Sequence, residues 1–182
     1  MSRLSIPAVS EAPAASLPLL DAVKKQLGVV PNLMKLLAVS PAALEGYLSL
    51  SGALGKGALN VKLRESLALT VAEFNACDYC LAAHSYLGKN LAKLSDEDIA
   101  KARDGRAADV RTAAALQFAH RVAADRGRVR DADLAELRAA GFNDAETVEI
   151  VLNVALNVLT NYLNNVAHTE VDFPRVSSHT PV

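Results

Sequence analysis

Most apolar stretches of this chain open on a capping residue or close on a glycine, and that punctuation admits helices and little else. Leu17 to Leu27 has helical apolar spacing and is stopped by Gly28. Pro31 starts a second, short helix, Asn32 to Ala38. Ser40-Pro41 then supplies an N-cap with proline at the first helical position, for a helix from Pro41 to about Leu54. Gly52, Gly55 and Gly57 are expected to break that run. Asn60 caps Val61 to about Phe74, whose Leu63, Leu67, Leu69 and Val71 make an apolar face. Asn75-Ala76 reads as a break, so Cys77 falls in or just before the first turn of a helix reaching about Leu91. Ser95-Asp96-Glu97-Asp98 opens a helix ended by Gly105. Asp109 caps another to about Asp125, Asp131 a short one ending at Gly141, and Asn143 or Asp144 the long last helix to about His168.

Composition agrees. Hydrophobic residues make up 51% of the 182 residues and aromatics only 4%, so the side chains that fill sheets are scarce. No segment alternates convincingly, and the expected class is all-α. Residues 1–15, rich in Ser, Pro and Ala, read as an extended arm; 16–171 read as a single helical domain; 172–182 read as a surface tail. The length suits one domain with a sizeable core.

With a net charge of −1 and both signs interspersed, the chain offers no nucleic-acid surface and no patch for an anionic membrane. No secretory signal is visible, because Pro7, Glu11, Pro13 and Pro18 break the first apolar stretch. The charge-free run from Ile150 to Thr169 carries Asn153, Asn157, Asn161, Asn164, Asn165 and His168, too polar for a lipid-exposed helix. A cytoplasmic protein is the expectation.

The only two cysteines are Cys77 and Cys80, with His84 four residues beyond. Any intrachain disulfide must therefore be Cys77–Cys80, and helical neighbours three apart are close enough, at about 5–6 Å between Cβ atoms, to form one. On a helix the three side chains fall within an arc of roughly 60°. A helix N-terminus and a nearby imidazole both favour the thiolate, which attacks peroxides or disulfides. In a reducing compartment such a pair is catalytic or metal-binding rather than a staple. Two carboxylates are candidates for a proton relay. Glu73 would be in phase with Cys77 on a continuous helix, while Glu65 needs tertiary packing; spacing favours Glu73. Tyr79 suits either packing or proton transfer.

Rival readings accompany each feature. The cysteines can be buried small hydrophobes. Zinc would need a fourth ligand beside Cys77, Cys80 and His84, from Glu65, Glu73 or His120, with no second ligand pair downstream. Asn153, Asn157 and Asn161 lie on one stripe of the last helix. That stripe is read as a helix seam or an oligomer interface in preference to a wall of the active site. His120, His168 and His179 lack ligand spacing.

Arg64-Glu65, Ala72-Glu73-Phe74-Asn75-Ala76-Cys77-Asp78-Tyr79-Cys80 and His84 together resemble the signature of the carboxymuconolactone decarboxylase superfamily, in its alkylhydroperoxidase AhpD-like branch. Gly28-Val29-Val30-Pro31-Asn32-Leu33, Asn161-Tyr162 and Asp172-Phe173-Pro174 resemble its longer peroxidase-related members. The resemblance implies a compact AhpD-like helical bundle with the C-x-x-C at the N-terminal end of a helix. It also implies Cys80 as the peroxidatic thiol, Cys77 as the resolving thiol, His84 as the relay and Glu65, ahead of Glu73, as the relay carboxylate. Some AhpD proteins carry a histidine where this chain has Tyr79, which shortens the implied relay. The implied activity is thiol-dependent hydroperoxide reduction, re-reduced by a dithiol such as a lipoylated protein, without haem, flavin or metal, in a dimer, trimer or hexamer. A lyase like the superfamily's decarboxylases and a non-enzymatic redox-sensing oligomer are the alternatives.

Overall fold

The structure, a computed structural model, describes residues 2–179. Among these residues there are nine α-helices and no strand: α1 Leu17–Leu27, α2 Asn32–Leu37, α3 Pro41–Leu54, α4 Val61–Phe74, α5 Asp78–Asn90, α6 Asp96–Arg103, α7 Val110–Ala124, α8 Asp131–Ala139 and α9 Asp144–Ala167. The all-α expectation holds, because local capping chemistry and global packing agree. Asn60 accepts from the Leu63 amide at 2.9 Å, Ser95 from Asp98 at 3.0 Å, Asp109 from Thr112 at 2.8 Å and Asn143 from Glu146 at 2.9 Å.

Three local expectations are corrected. Gly52 lies inside α3, whose backbone it interrupts no more than an alanine would. The cap of α8 is Arg130, not Asp131; Asp133 reaches back to the Arg130 amide at 2.9 Å. The N-terminal arm is not extended throughout, since Val9–Glu11 and Ala14–Ser16 form 3-10 turns. Glu11 closes the first by accepting from the Ala8 amide at 3.0 Å. The second buries Ser16, whose hydroxyl donates to Ala38 at 2.8 Å.

Helix α4 is the hub, packing on α5, α6, α7 and α9. Eight of its residues are buried, among them Leu67 and Leu69, so it is apolar on nearly every side, as a helix enclosed by others must be. Each fully buried leucine contributes about 1.5–3 kcal/mol relative to exposure. Thr70 on α4 also ties down α6, donating to the Ala102 carbonyl at 2.6 Å.

Residues 172–179 follow a defined path across the start of α5. The Asp172 carboxylate accepts from the Asn32 amide at 2.7 Å, and the Ser178 amide donates to Asp78 at 2.9 Å. Arg103 of α6 donates to the Ser177 carbonyl at 2.7 Å. No helix among the described residues is long and apolar enough to cross a membrane.

Candidate active site

A three-residue link delivers the cysteines. Helix α4 ends in a Schellman motif: the Cys77 amide returns to the Ala72 carbonyl at 2.9 Å and the Ala76 amide to Glu73 at 3.0 Å. The motif requires a left-handed residue, and Ala76 takes that role at φ 48°, where glycine is the usual occupant. The chain leaves that turn directly into Cys77, which is the N-cap of α5. Its Sγ accepts from the Cys80 amide at 3.3 Å, in the place a serine or asparagine oxygen normally fills.

The two sulfurs are 2.7 Å apart, with the Cys77 thiol donating to Cys80. Both are free thiols and both are buried. Burial alone would push the Cys80 thiol up. The hydrogen bond from Cys77, the charge of His84 and the amides of Asn164 and Asn161 outweigh it and bring Cys80 down to about 7. Cys77 moves the opposite way, pushed far above the ordinary thiol range because its proton is held in the bond to Cys80 and its sulfur is buried. One thiol of the pair is thus prepared to ionise and the other to stay protonated.

His84 follows one helical turn after Cys80 on α5, and its Nδ1 meets Glu65 Oε2 at 2.8 Å. Burial opposes the imidazolium, but the Glu65 charge and hydrogen bond raise the His84 pKa overall. Tyr47 of α3 borders the same group. Burial first, then the charges of Cys80 and Glu65, pushes its hydroxyl up to about 12.

The structure thus brings Cys77, Cys80, His84 and Glu65 together. Glu73 is engaged elsewhere: Arg103 Nε donates to it at 2.7 Å and the His179 amide at 2.6 Å. The Tyr79 hydroxyl accepts from the Leu33 amide at 3.0 Å, and its ring packs edge-on against Phe173 at 5.8 Å. Burial pushes its ionisation well above the ordinary phenol value. Tyr79→Phe is expected to strand the Leu33 amide and cost about 1–3 kcal/mol in urea unfolding, with Cys80 reactivity retained. His120 packs edge-on against Phe74 at 5.1 Å. Among the described residues, no group of three or more His, Cys, Asp and Glu side chains is arranged to hold a metal ion.

Asn161, which its spacing assigns to a seam, and Asn164, to which the sequence assigns no role, both bear on the Cys80 sulfur. Asn164 Nδ2 donates to Cys80 Sγ at 3.2 Å. Asn161 Oδ1 accepts from Asn75 Nδ2 at 2.9 Å, and Asn165 Nδ2 from the same helix end donates to the Asn75 carbonyl at 2.9 Å. These amides bind α9 to the α4–α5 link. Asn153 and Asn157 instead donate to carbonyls of their own helix, at 2.7 and 2.8 Å. The repeat of asparagine along α9 was the available signal; which helix the stripe faces is a tertiary fact. Two cavities of about 490 and 390 Å³ lie away from the sulfurs, around α7–α8 and the α4–α6–α7 junction. Their linings contain no thiol or histidine.

Comparison with known proteins agrees with this fold. Residues 41–125, which hold α3 to α7 and all four clustered residues, match the Carboxymuconolactone decarboxylase family. No curated protein matches the chain. An AhpD-core, peroxidase-related protein from Ralstonia eutropha JMP134 superposes with a TM-score of 0.84 at 25% identity, covering 94% of this chain and 92% of that one. A peroxidase-related protein from Silicibacter sp. TM1040 shares the fold at TM-score 0.82 and 24% identity, covering 93% of this chain and 91% of that one. The debrominase Bmp8, solved with 2,3,4-tribromopyrrole, shares it at 0.80 and 16% identity, covering 94% of each chain. The segment that matches this family holds the cysteine pair, and the chain as a whole shares the AhpD-like helical fold.

Proposed function

We propose that the protein is a thiol-dependent hydroperoxide reductase cycling through a Cys77–Cys80 disulfide. The observation that carries the reading is geometric: two free, buried thiols 2.7 Å apart, the Cys77 thiol donating to Cys80, with the His84–Glu65 pair one helical turn beyond. The Cys80 thiolate attacks the terminal oxygen of R–O–O–H, forming an S–O bond and breaking the O–O bond. The products are the Cys80 sulfenic acid and an alkoxide, which the His84 imidazolium protonates to the alcohol. Cys77 then attacks the sulfenic sulfur, and its proton leaves with the hydroxide as water. A dithiol donor, lipoylated or of similar chemistry, restores both thiols and becomes the disulfide. The residues at the site need no metal or organic cofactor for this cycle.

The test is consumption of cumene hydroperoxide by reduced protein with dihydrolipoamide as the recycling dithiol. Turnover that disappears in Cys80→Ser supports the reading. No consumption by the wild type, with both thiols still titratable after peroxide, overturns it and directs attention to lyase substrates.

Self-association is proposed alongside. Val148, Leu152, Ala155, Leu159, Tyr162 and Val166 are exposed on α9, at alternating steps of four and three. That is the apolar seam of a coiled coil, on the helix face opposite the buried asparagines. Light scattering on a sizing column is expected to give a multiple of 19.2 kDa, and Leu159→Glu to give that mass itself. A monomeric wild type overturns the proposal.

A further inference from the structure

Among the described residues, two polar atoms at the redox pair lack a well-formed hydrogen bond. Asn164 uses its Nδ2 on Cys80 Sγ, yet its Oδ1 is buried without a hydrogen bond. Asn161 uses its Oδ1 on Asn75, yet its Nδ2 is buried without a well-formed hydrogen bond, although the amide bears on the same sulfur. Asn164 is 3% and Asn161 0% exposed, so bulk water does not satisfy them. Native proteins seldom leave such groups alone, and an unpartnered donor and acceptor beside a reactive atom point to a small polar guest.

We infer that Asn161 and Asn164 form the subsite for the –O–O–H group of the hydroperoxide, with Cys80 Sγ as its third side. The inference rests on the peroxidase reading and gives its substrate a place. A hydroperoxide carries one O–H donor on its terminal oxygen and lone pairs on its inner oxygen, the complement of one acceptor and one donor. Asn164 Oδ1 takes the O–H, and because Asn164 Nδ2 holds the sulfur, a single amide sets the terminal oxygen beside the attacking atom. Asn161 Nδ2 then faces the inner oxygen. When the S–O bond forms and the O–O bond breaks, that oxygen gains the electron pair and becomes the alkoxide. A fixed donor aimed at it stabilises the charge as it develops, before His84 delivers the proton. Asn161 is on this account a catalytic residue, and Asn75, which fixes the Asn161 amide by its 2.9 Å bond, is a positioning residue. Molecules without an O–H at the reacting atom, such as a lactone carbonyl or a halogenated ring, leave the Asn164 acceptor unsatisfied.

The experiment compares two reactions of the same reduced thiol: oxidation by cumene hydroperoxide in a stopped-flow instrument, and alkylation by iodoacetamide, which needs the thiolate but not the subsite. Asn161→Asp keeps an acceptor for Asn75 and removes the donor. Its peroxide rate is expected to fall about 100-fold, while alkylation, corrected for thiolate fraction by absorbance at about 240 nm, stays within about threefold. Asn164→Ala is the second variant, expected to lose more in oxidation than in alkylation. Equal losses in both reactions, in whichever variants fold, overturn the subsite and leave the asparagines acting on the thiol alone. A wild type that oxidises no faster than free cysteine overturns the peroxidase reading itself, a separate outcome. Should neither variant fold, a crystal structure of the reduced wild type decides. A water bound by both amide atoms beside Cys80 supports the subsite, and amides satisfied by protein groups overturn it.

Discussion

Cys77→Ser is expected to consume about one equivalent of hydroperoxide per protomer and then stop, a loss of essentially all turnover. The substitution is unusually clean here. Serine is a favoured N-cap, so the start of α5 survives, and its hydroxyl can still donate toward Cys80 in place of the thiol. The first step therefore proceeds with Cys80 near its wild-type ionisation. What the variant lacks is the second sulfur, and the sulfenic acid has nothing to condense with. Dimedone labelling followed by mass spectrometry is expected to find the adduct on Cys80 alone. Continued multiple turnover in Cys77→Ser would show that the recycling dithiol attacks the sulfenic acid directly, and would remove Cys77 from the cycle.

Glu65→Gln is expected to lower kcat/KM by about 100-fold or more, the usual scale for losing a positioned proton donor. Glu65 raises the His84 pKa against the opposing effect of burial. Without it only the lowering effect of burial acts strongly on the imidazole, so on the proposed cycle two contributions are expected to weaken together: the proton for the alkoxide and the positive charge that helps hold Cys80 down. The sign of the pH effect follows. In the wild type Cys80 ionises at about 7, so the oxidation rate climbs about tenfold per pH unit below that point and levels above it. In Glu65→Gln the Cys80 pKa moves up, and the rising limb moves to higher pH with it. A profile identical in midpoint to the wild type would disconnect the Glu65–His84 pair from the thiol. Glu73→Gln serves as the comparison, since the Glu73 carboxylate is bound by Arg103 and the His179 amide.

That contrast also shows where sequence reading stopped. Helix limits were legible because Asn60, Ser95, Asp109 and Asn143 cap their own helices through contacts three residues long. The cysteine–histidine spacing was legible for the same reason, all three residues belonging to α5 or its cap. Spacing favoured Glu73 over Glu65 by treating residues 73 and 77 as one helix. The left-handed turn at Ala76 breaks that phase, and nothing in an alanine announces such a turn. Glu65 meets His84 only because α4 and α5 pack against each other, 19 positions apart in sequence. The asparagines posed the same difficulty at longer range. Their repeat along α9 was visible, but Cys80 and Asn164 lie 84 positions apart, with no local signal of the contact. Tyr79 is a third case: its hydroxyl is committed to the Leu33 amide, a partner 46 residues away.

Because the cap of α5 is a sulfur, the first turn of that helix senses the electron count of the redox pair. The Cys80 amide donates to Cys77 Sγ at 3.3 Å. A thiol sulfur and a disulfide sulfur differ as acceptors, so oxidation alters the shielding of that one backbone proton. The Cys80 amide resonance is therefore an internal, label-free gauge of how much of the protein is oxidised. It can be followed in an intact solution while an oxidant and a reductant are added in turn.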